Sequence, residues 1–353
     1  MNKKTTRISL GFDPTIENRE SWSRREFLQT AALAGTGAIL GLRSESLAAE
    51  PPPETTRIRL LRIPSTCHTP QYLAEDLLRN EGFADVEYVS RASSADIAPA
   101  LAAGEADINM NFAGPVLLNL DAGHPIVVLA GVHVGCFELF GGPGIQAVRD
   151  LKGRTVAVEA MGSSQHVFFS SMLANVGINP RRDVRWVTHP SPKHIELLAA
   201  GAIDAVLAFA PWPQEFRDRK IGRLLVSSTT DRPWSHYFCC MLVGNRGFVQ
   251  RHPVAVKRAM RAIFKAANLC TVEPERAARF MVDKGLVRRY DHTLRTIKEL
   301  PYDRWGIYDP EDTLLFYALR LHEAGMIKKS PKQIIAQGTD WRFLRELKKE
   351  LKT

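Results

Sequence analysis

The sequence predicts an α/β protein of two similar lobes, joined by a hinge, with a ligand cleft between them and a helical C-terminal extension. The first reason is an internal repeat: LAAGEADI at residues 101–108 returns 97 residues later as LAAGAIDA at 198–205. The second is that each copy follows, at nearly equal spacing, a strand-like run, a polar turn, a histidine and a helix. The third is a regular alternation of strand-like and helix-like segments, which favours parallel sheets covered by helices.

The first lobe is predicted over residues 50–144. Its helices begin at recognisable start signals, as at Thr69 and Pro70, a capping hydroxyl followed by a proline in the first turn. A glycine-rich stretch at 139–144 interrupts the alternation and is the predicted hinge. The predicted elements are strands at 57–63, 85–90, 106–110 and 126–130 and helices at 70–80, 95–103 and 115–122.

The second lobe is predicted over residues 145–237. An apolar strand at 238–243 is expected to return to the first lobe, and the rest of 238–353 is predicted to be helical and to pack on that lobe. The predicted elements of the second lobe are strands at 155–159, 184–188, 205–209 and 224–227 and helices at 164–176, 193–200 and 212–219. The later helices are predicted after Pro253 and near 275–282, 291–299, 310–324 and 331–337.

Residues 1–49 have the pattern of a twin-arginine export signal. Arg24 and Arg25 precede an apolar run at 31–42, and small residues at 47–49 offer a cleavage site. The apolar run has 12 residues, whereas a membrane-spanning helix needs about 20. We therefore expect the twin-arginine translocase to export the chain, leaving a soluble protein in the periplasm.

Charge and cysteine content narrow the classes of partner. The formal net charge is +9, but no dense run of lysine and arginine accompanies it, so nucleic acid is not a predicted partner. A small anionic solute or an acidic partner surface fits this charge better. The five cysteines include no CxxC pair, and we interpret the adjacent Cys239 and Cys240 as small buried residues.

The predicted ligand site follows from the two-lobe fold. Ligands of open α/β sheets bind beyond the carboxyl ends of the strands, where helix starts also offer backbone amides to an anion. Aromatic residues in these loops could stack on a planar ligand, and the loop at 189–193 is a further candidate. The predicted ligand-binding residues are Ser65, Thr66, Cys67, His68, Asn111, Phe112, Gly114, His133, Phe137, Glu138, Gly162, Ser163, Ser164 and Trp212.

A metal site is the alternative to this organic-ligand site. His133, Cys136 and Glu138, with Cys67 and His68 across the cleft, carry the usual ligand atoms. Alternation along a strand, however, would place His133 on one face and Cys136 and Glu138 on the other. We therefore predict no metal and no cofactor.

Signatures of catalysis are absent from the sequence. There is no GxSxG elbow, no HExxH, no GxxxxGK phosphate loop and no GxGxxG after the first strand. The sequence therefore predicts a binding protein and not an enzyme, with no catalytic residues.

Several segments resemble the periplasmic solute-binding proteins of nitrate, sulfonate and taurine ABC importers. They are PQYLA at 70–74, GHPI at 123–126 and, most specifically, DLKGRTVAV at 150–158. The resemblance implies the type II periplasmic-binding-protein fold, a small solute such as a sulfonate or nitrate, and an ABC permease in the inner membrane as partner. The serine-lined helix starts favour an anionic solute, and Phe112, Phe137 and Trp212 allow it an aromatic body. It also implies that the cleft is lined by residues 65–69, 111–115, 133–138 and 162–164.

Three alternatives stay open within the same resemblance. The superfamily includes binders of thiamine-pyrimidine precursors, and fungal pyrimidine synthases that use pyridoxal phosphate and a cysteine-rich strand. In this chain the loop with His68 has no nearby lysine to hold that cofactor. A sensory module with a receptor as partner is the third alternative.

Overall fold

The computed structural model describes residues 50–63 and 65–352, and the predicted export signal lies outside them. The fold is α/β and confirms the predicted class, with helices at the C-terminus. The described residues form ten strands: β1 (Arg57–Arg62), β2 (Asp85–Ser90), β3 (Ile108–Phe112), β4 (Ile126–Val134), β5 (Phe137–Gly141), β6 (Thr155–Val158), β7 (Arg185–Thr188), β8 (Ala205–Phe209), β9 (Arg223–Ser227) and β10 (Phe238–Asn245).

The helices of the same residues cover these sheets. They are α1 (Thr69–Leu73), α2 (Glu75–Asn80), α3 (Ile97–Ala102), α4 (Ala113–Asp121), α5 (Ser164–Asn175), α6 (Ser191–Ala199), α7 (Trp212–Asp218), α8 (Arg246–Arg251), α9 (Pro253–Val272), α10 (Pro274–Asp283), α11 (Tyr290–Glu299), α12 (Pro310–Glu323), α13 (Pro331–Gly338) and α14 (Arg342–Glu350). None of them is long and apolar enough to cross a membrane.

Two separate sets of strands give the molecule its two lobes. In the first, β1 pairs with β2 in parallel, and β10 lies between β3 and β4, antiparallel to both. In the second, the order is β7-β6-β8-β5-β9, with β6 parallel to β7 and β8 and with β5 antiparallel to β8 and β9. The late strand β10 is therefore built into the centre of the first lobe's three-stranded sheet.

The repeated sequence forms the same local structure in both lobes. Each copy ends its helix at a glycine in the left-handed conformation, Gly104 with φ of 75° and Gly201 with φ of 69°. The aspartate that follows then ties the next strand to β1 in the first lobe and to β6 in the second. The backbone N–H of Arg59 donates to Asp107 Oδ2 at 2.8 Å, and that of Thr155 donates to Asp204 Oδ2 at 2.8 Å.

The chain passes between the lobes earlier than the sequence predicts. Gly135 and Cys136 both have positive φ, 87° and 82°, and strand β5 immediately after them already pairs with β8. The glycine-rich residues 139–144, predicted as the hinge, thus lie at the end of β5 and beyond it. The chain returns through residues 228–237 into β10.

The C-terminal helices contact both lobes, whereas we expected them to pack on the first. Helix α9 packs on α1 and α2 of the first lobe, but α12 lies against α4 of the first lobe and α5 of the second. Helix α11 reaches α7 of the second lobe, where Arg295 Nη2 lies 2.7 Å from Asp218 Oδ2. The core under these helices includes Trp305, which stacks on Phe264 with ring centroids 3.9 Å apart.

Candidate functional site

A large cavity of about 1000 Å³ opens at the carboxyl ends of the parallel strands of the second lobe. The loop after β2 of the first lobe and the segment leading into α11 complete its wall. This is the position at which α/β sheets place their ligands. The lining consists of Ala92 and Ser93 after β2, Glu159 and Ala160 after β6, residues 188–192 after β7, Phe209, Pro211 and Trp212 at the end of β8, Glu215, residues 285–289, His292 and Thr293.

The charged side chains at this cavity differ in whether they already have partners in the protein. Arg289 Nη2 lies 2.6 Å from Asp291 Oδ2, and its Nη1 lies 3.3 Å from Glu215 Oε2. The Ser191 hydroxyl donates to Glu159 Oε2 at 3.3 Å. The exposed Arg288, by contrast, makes no hydrogen bond or ion pair with another described residue. Its guanidinium is therefore available to an anionic group in the cavity.

The two lobes touch next to this cavity. The hydroxyls of Ser94 and Ser164 lie 3.0 Å apart across the interface, and the backbone N–H of Ser164 donates to Ser94 Oγ at 3.1 Å. A Cβ added to Gly114 would come within 2.8 Å of Val167 Cγ1. Glycine is therefore required at this position for helix α4 of the first lobe to approach α5 of the second so closely.

The predicted site residues divide between several environments. Trp212 lines the large cavity. Phe112, Gly114, Phe137 and Ser164 line a second cavity of about 10 Å³, too small for an organic solute, together with Ala113, Phe168, Cys239 and Tyr317. The other predicted residues do not line either cavity, and these are Ser65, Thr66, Cys67, His68, Asn111, His133, Glu138, Gly162 and Ser163.

Some cavity residues are absent from the sequence prediction. Ser93 and Glu159 follow strands β2 and β6, so their position at strand ends was a usable signal. The loop at 189–193 was anticipated, and 189–192 do line the cavity. Residues 285–293 carried no such signal, because they precede and begin a C-terminal helix that only tertiary packing brings to the cleft.

The backbone N–H groups at the start of α5, which we predicted would bind an anion, already donate to groups of the protein. The N–H of His166 donates to Ser163 Oγ, and the N–H of Gly162 donates to His166 Nδ1 at 3.1 Å. Burial lowers the pKa of His166 to about 4, so its neutral ring can accept that hydrogen at neutral pH. With Ser164 N–H bonded to Ser94, these three amides all have protein partners in this arrangement.

Glu138 lies just beyond the crossing between lobes and is almost fully buried. Burial raises the pKa of its carboxyl to about 7, although Arg217, whose Nη1 lies 3.4 Å from Glu138 Oε1, acts in the opposite direction. The other oxygen, Oε2, is buried without a hydrogen-bond partner among the described residues. The carboxyl therefore contributes a desolvation cost to the folded state whenever it is ionised.

A group of buried thiols and imidazoles lies behind the cleft, in the first lobe. Single ligand atoms of Cys67, His133 and Cys240 all lie within 4.8 Å of one another. Burial raises the pKa of the Cys67 thiol, but hydrogen bonds with Cys136 and Cys240 outweigh it and hold this pKa well below its usual value. Cys239 and Cys240 are buried, as predicted, and Cys240 belongs to this cluster.

Comparison with known proteins gives the family. The model of the NMT1-like family matches residues 51–282, so the chain belongs to that family. The nitrate/nitrite-binding protein NrtA of a Nostoc strain is 23% identical over 294 residues, which are 70% of this chain and 66% of that protein. The chain thus matches slightly less than two thirds of that relative's length.

Solved structures share the fold at low sequence identity. The periplasmic nitrate-binding protein NrtA of Synechocystis has a TM-score of 0.71 and 17% identity, covering 85% of this chain and 90% of that one. The alkanesulfonate-binding protein SsuA of Xanthomonas axonopodis bound to MOPS has a TM-score of 0.65 and 18% identity, covering 83% and 100%. The desulfurization enzyme DSZB also matches, with a TM-score of 0.56 and 15% identity over 82% and 98%. The fold is thus that of type II periplasmic binding proteins and is also used by an enzyme.

Proposed function

We propose that this member of the NMT1-like family is the extracytoplasmic solute-binding component of an ABC importer. The observation that carries the proposal is the cavity of about 1000 Å³ at the strand ends of the second lobe, walled on its other side by the first lobe and the C-terminal region. A solute bound there would contact both lobes and so favour the arrangement in which they touch.

The chemistry of the cavity favours an organic anion as the solute. Its volume of about 1000 Å³ is in the range of sites for drug-sized organic ligands and far exceeds what nitrate would fill. Phe209 and Trp212 offer aromatic surface, and Arg288 offers a guanidinium without a protein partner among the described residues. A sulfonate or carboxylate with an apolar or aromatic body meets all three conditions.

The partners follow from this role. An ABC permease in the inner membrane would receive the solute from the closed form, and the twin-arginine signal predicted over residues 1–49 would deliver the chain to the periplasm. A pyridoxal-phosphate enzyme is less well supported, because none of the described residues that line the large cavity is a lysine, the residue that forms a Schiff base with that cofactor.

The proposal is tested by thermal unfolding of the purified full chain with a panel of alkanesulfonates, aromatic sulfonates, aromatic carboxylates, nitrate and bicarbonate. A ligand at a hundred times its Kd stabilises the folded state by about 2.7 kcal/mol, so at least one organic anion should raise Tm by several degrees. Arg288→Ala and Trp212→Ala should each weaken that binding by about tenfold or more, through loss of a charged hydrogen bond or of aromatic contact.

Arg345→Ala is the matched control, because Arg345 is an exposed arginine on α14 that does not line the cavity. It should leave the affinity unchanged. The organic-anion proposal is overturned if no organic anion shifts Tm, and the proposed site is wrong if a ligand binds equally well to both cavity variants. Stabilisation by nitrate alone would retain the importer role and exclude the proposed solute class.

A further inference from the structure

We propose that Cys67, His133 and Cys240 form a binding site for a single thiophilic metal ion, Zn²⁺ or Cu⁺, buried in the first lobe. This site is separate from the large cavity, since none of the three residues lines it. The proposal does not depend on the identity of the solute or on the importer role.

The positions of the three ligand atoms are set by the strand pairing and the turn that hold these residues. Cys240 of β10 is the register partner of His133 of β4, so the two side chains leave the sheet on the same face. Cys67 lies in the short helical turn that precedes α1. The three ligand atoms lie within 4.8 Å of one another, and ligands of one tetrahedral zinc ion lie about 3.5–3.8 Å apart. Small side-chain movements would bring all three onto one ion.

His133 has the hydrogen bonding of a metal ligand. Its Nδ1 lies 3.1 Å from the carbonyl oxygen of Val134, and because a carbonyl only accepts, Nδ1 must carry the hydrogen. The other nitrogen, Nε2, is buried and has no partner among the described residues, although the residue is only 1% exposed. A histidine that binds metal through one nitrogen commonly donates from the other to a backbone carbonyl. A metal ion would satisfy the lone pair that the protein leaves unpartnered.

Neighbouring groups fix the Cys67 ligand from two sides. The hydroxyl of Tyr302 donates to the carbonyl oxygen of Cys67 at 3.1 Å, and the Tyr302 ring meets the His133 ring edge to face at 5.1 Å. His68 Nε2 lies 3.1 Å from the carbonyl oxygen of Met110 and therefore donates to it. The Nδ1 of His68, 3.7 Å from Cys67 Sγ, can then accept a hydrogen bond from the thiol.

The ligand set selects the kind of metal. Two thiols and an imidazole in a buried site suit Zn²⁺ and Cu⁺ and exclude Mg²⁺ and Ca²⁺, which require oxygen ligands. Cys136, a buried cysteine that follows β4, can supply a third thiol as the fourth ligand of tetrahedral Zn²⁺. Alternation along one strand separates His133 from Cys136 and Glu138 and carries no information about this set. The proposed ligands instead come from three separate segments.

The test is metal loading of the full chain, purified in reduced, metal-free form. Zn²⁺ is added in one arm and Cu⁺, under anaerobic conditions, in the other, and retained metal is measured after gel filtration. We expect one ion per chain in at least one arm, with Cys67 and Cys240 protected from alkylation. Cys67→Ser, Cys240→Ser and His133→Gln should each weaken binding by more than about 100-fold, the upper end of what loss of a mere supporting residue costs.

Cys270→Ser is the matched control, because Cys270 is a fully buried cysteine of α9 outside the cluster. It should retain the full metal content. Circular dichroism identifies any variant that fails to fold, and His133→Gln keeps the test decisive if a cysteine variant does so. The proposal is overturned if neither metal is retained stoichiometrically, if folded ligand variants retain as much metal as Cys270→Ser, or if Cys67 and Cys240 are joined in a disulfide. These outcomes leave the solute-binding test untouched.

Discussion

The turns after β1 and β6 occupy equivalent places in the two repeats, but only the turn after β6 lines the large cavity. In the first lobe, residues 65–69 are buried, and Tyr302 closes over Cys67. In the second lobe, Glu159 and Ala160 line the large cavity. The sequence repeat thus generates two similar strand-turn-helix units. The C-terminal region makes them different because it covers the turn of the first unit. A repeat of structure does not imply a repeat of function.

The largest effect is expected when a large side chain is removed from the C-terminal region that covers the first lobe. Trp305 is fully buried and stacks on Phe264, three residues after Tyr302. Trp305→Ala should lower the free energy of unfolding by about 4 kcal/mol through loss of apolar contact and formation of a cavity. It should also speed the reaction of the clustered cysteines with a thiol reagent in the folded protein.

Phe216→Ala provides the matched change in the second lobe, where the buried Phe216 stacks on Phe140 with centroids 4.7 Å apart. Its cost in chemical denaturation should be similar, at about 3–4 kcal/mol, but the cysteines should stay protected. Equal thiol reactivity in the two variants would contradict the covering role of the C-terminal region.

A second test compares the two repeated aspartates. Asp107 accepts the N–H of Arg59 and also pairs with the Arg59 guanidinium at 2.6 Å, with 6% of its side chain exposed. Asp204 accepts the N–H of Thr155, but 30% of its side chain is exposed and its arginine partner is 3.7 Å away. Asp107→Ala should therefore lower the free energy of unfolding by about 3 kcal/mol and Asp204→Ala by about 1 kcal/mol. The groups that lose their partner are buried in the first case and more exposed to solvent in the second.

Urea denaturation of both variants gives the measurement. Asp107→Asn and Asp204→Asn are useful controls, because each keeps an oxygen that can accept the backbone N–H. A larger loss of unfolding free energy for Asp204→Ala than for Asp107→Ala would show that burial does not decide how much each aspartate stabilises its lobe.

The third test concerns Glu138, at the crossing between the lobes. Its folded-state pKa of about 7 exceeds the ordinary 4.5, so the folded chain binds more protons than the unfolded chain between these values. Stability therefore falls as pH rises from about 4.5 to 7. Glu138→Gln should remove this loss and stabilise the protein at pH 8 by about 3 kcal/mol, with little effect near pH 4.

Thermal unfolding of both proteins across this pH range measures the difference. Glu323→Gln, at an exposed position on α12, serves as the control for a change of one charge. If Glu138→Gln is less stable than the parent at pH 8, the pairing of Glu138 with Arg217 outweighs its desolvation.

Much of the fold could be predicted because its signals are local. Asp309 and Ser330 each precede a proline, which is a local start signal for a helix, and their side chains accept the N–H groups of Glu311 and Gln333. Strand β5 is absent from the sequence prediction because Gly141 at its end and Gly142 and Gly144 beyond it resemble a loop, whereas the strand's position between β8 and β9 supplies its hydrogen bonds. Local propensity cannot report partners that come from elsewhere in the chain.

The sequence by itself determined the two-lobed α/β architecture, since periodicity, caps and the repeated LAAG segment act over short distances along the chain. Only the tertiary structure decided which of the two turns lines the cavity, because the helices that cover the first lobe follow both repeats. It also brought Cys67, His133 and Cys240 together. Their meeting depends on the insertion of β10 between β3 and β4, a long-range pairing that no local pattern encodes.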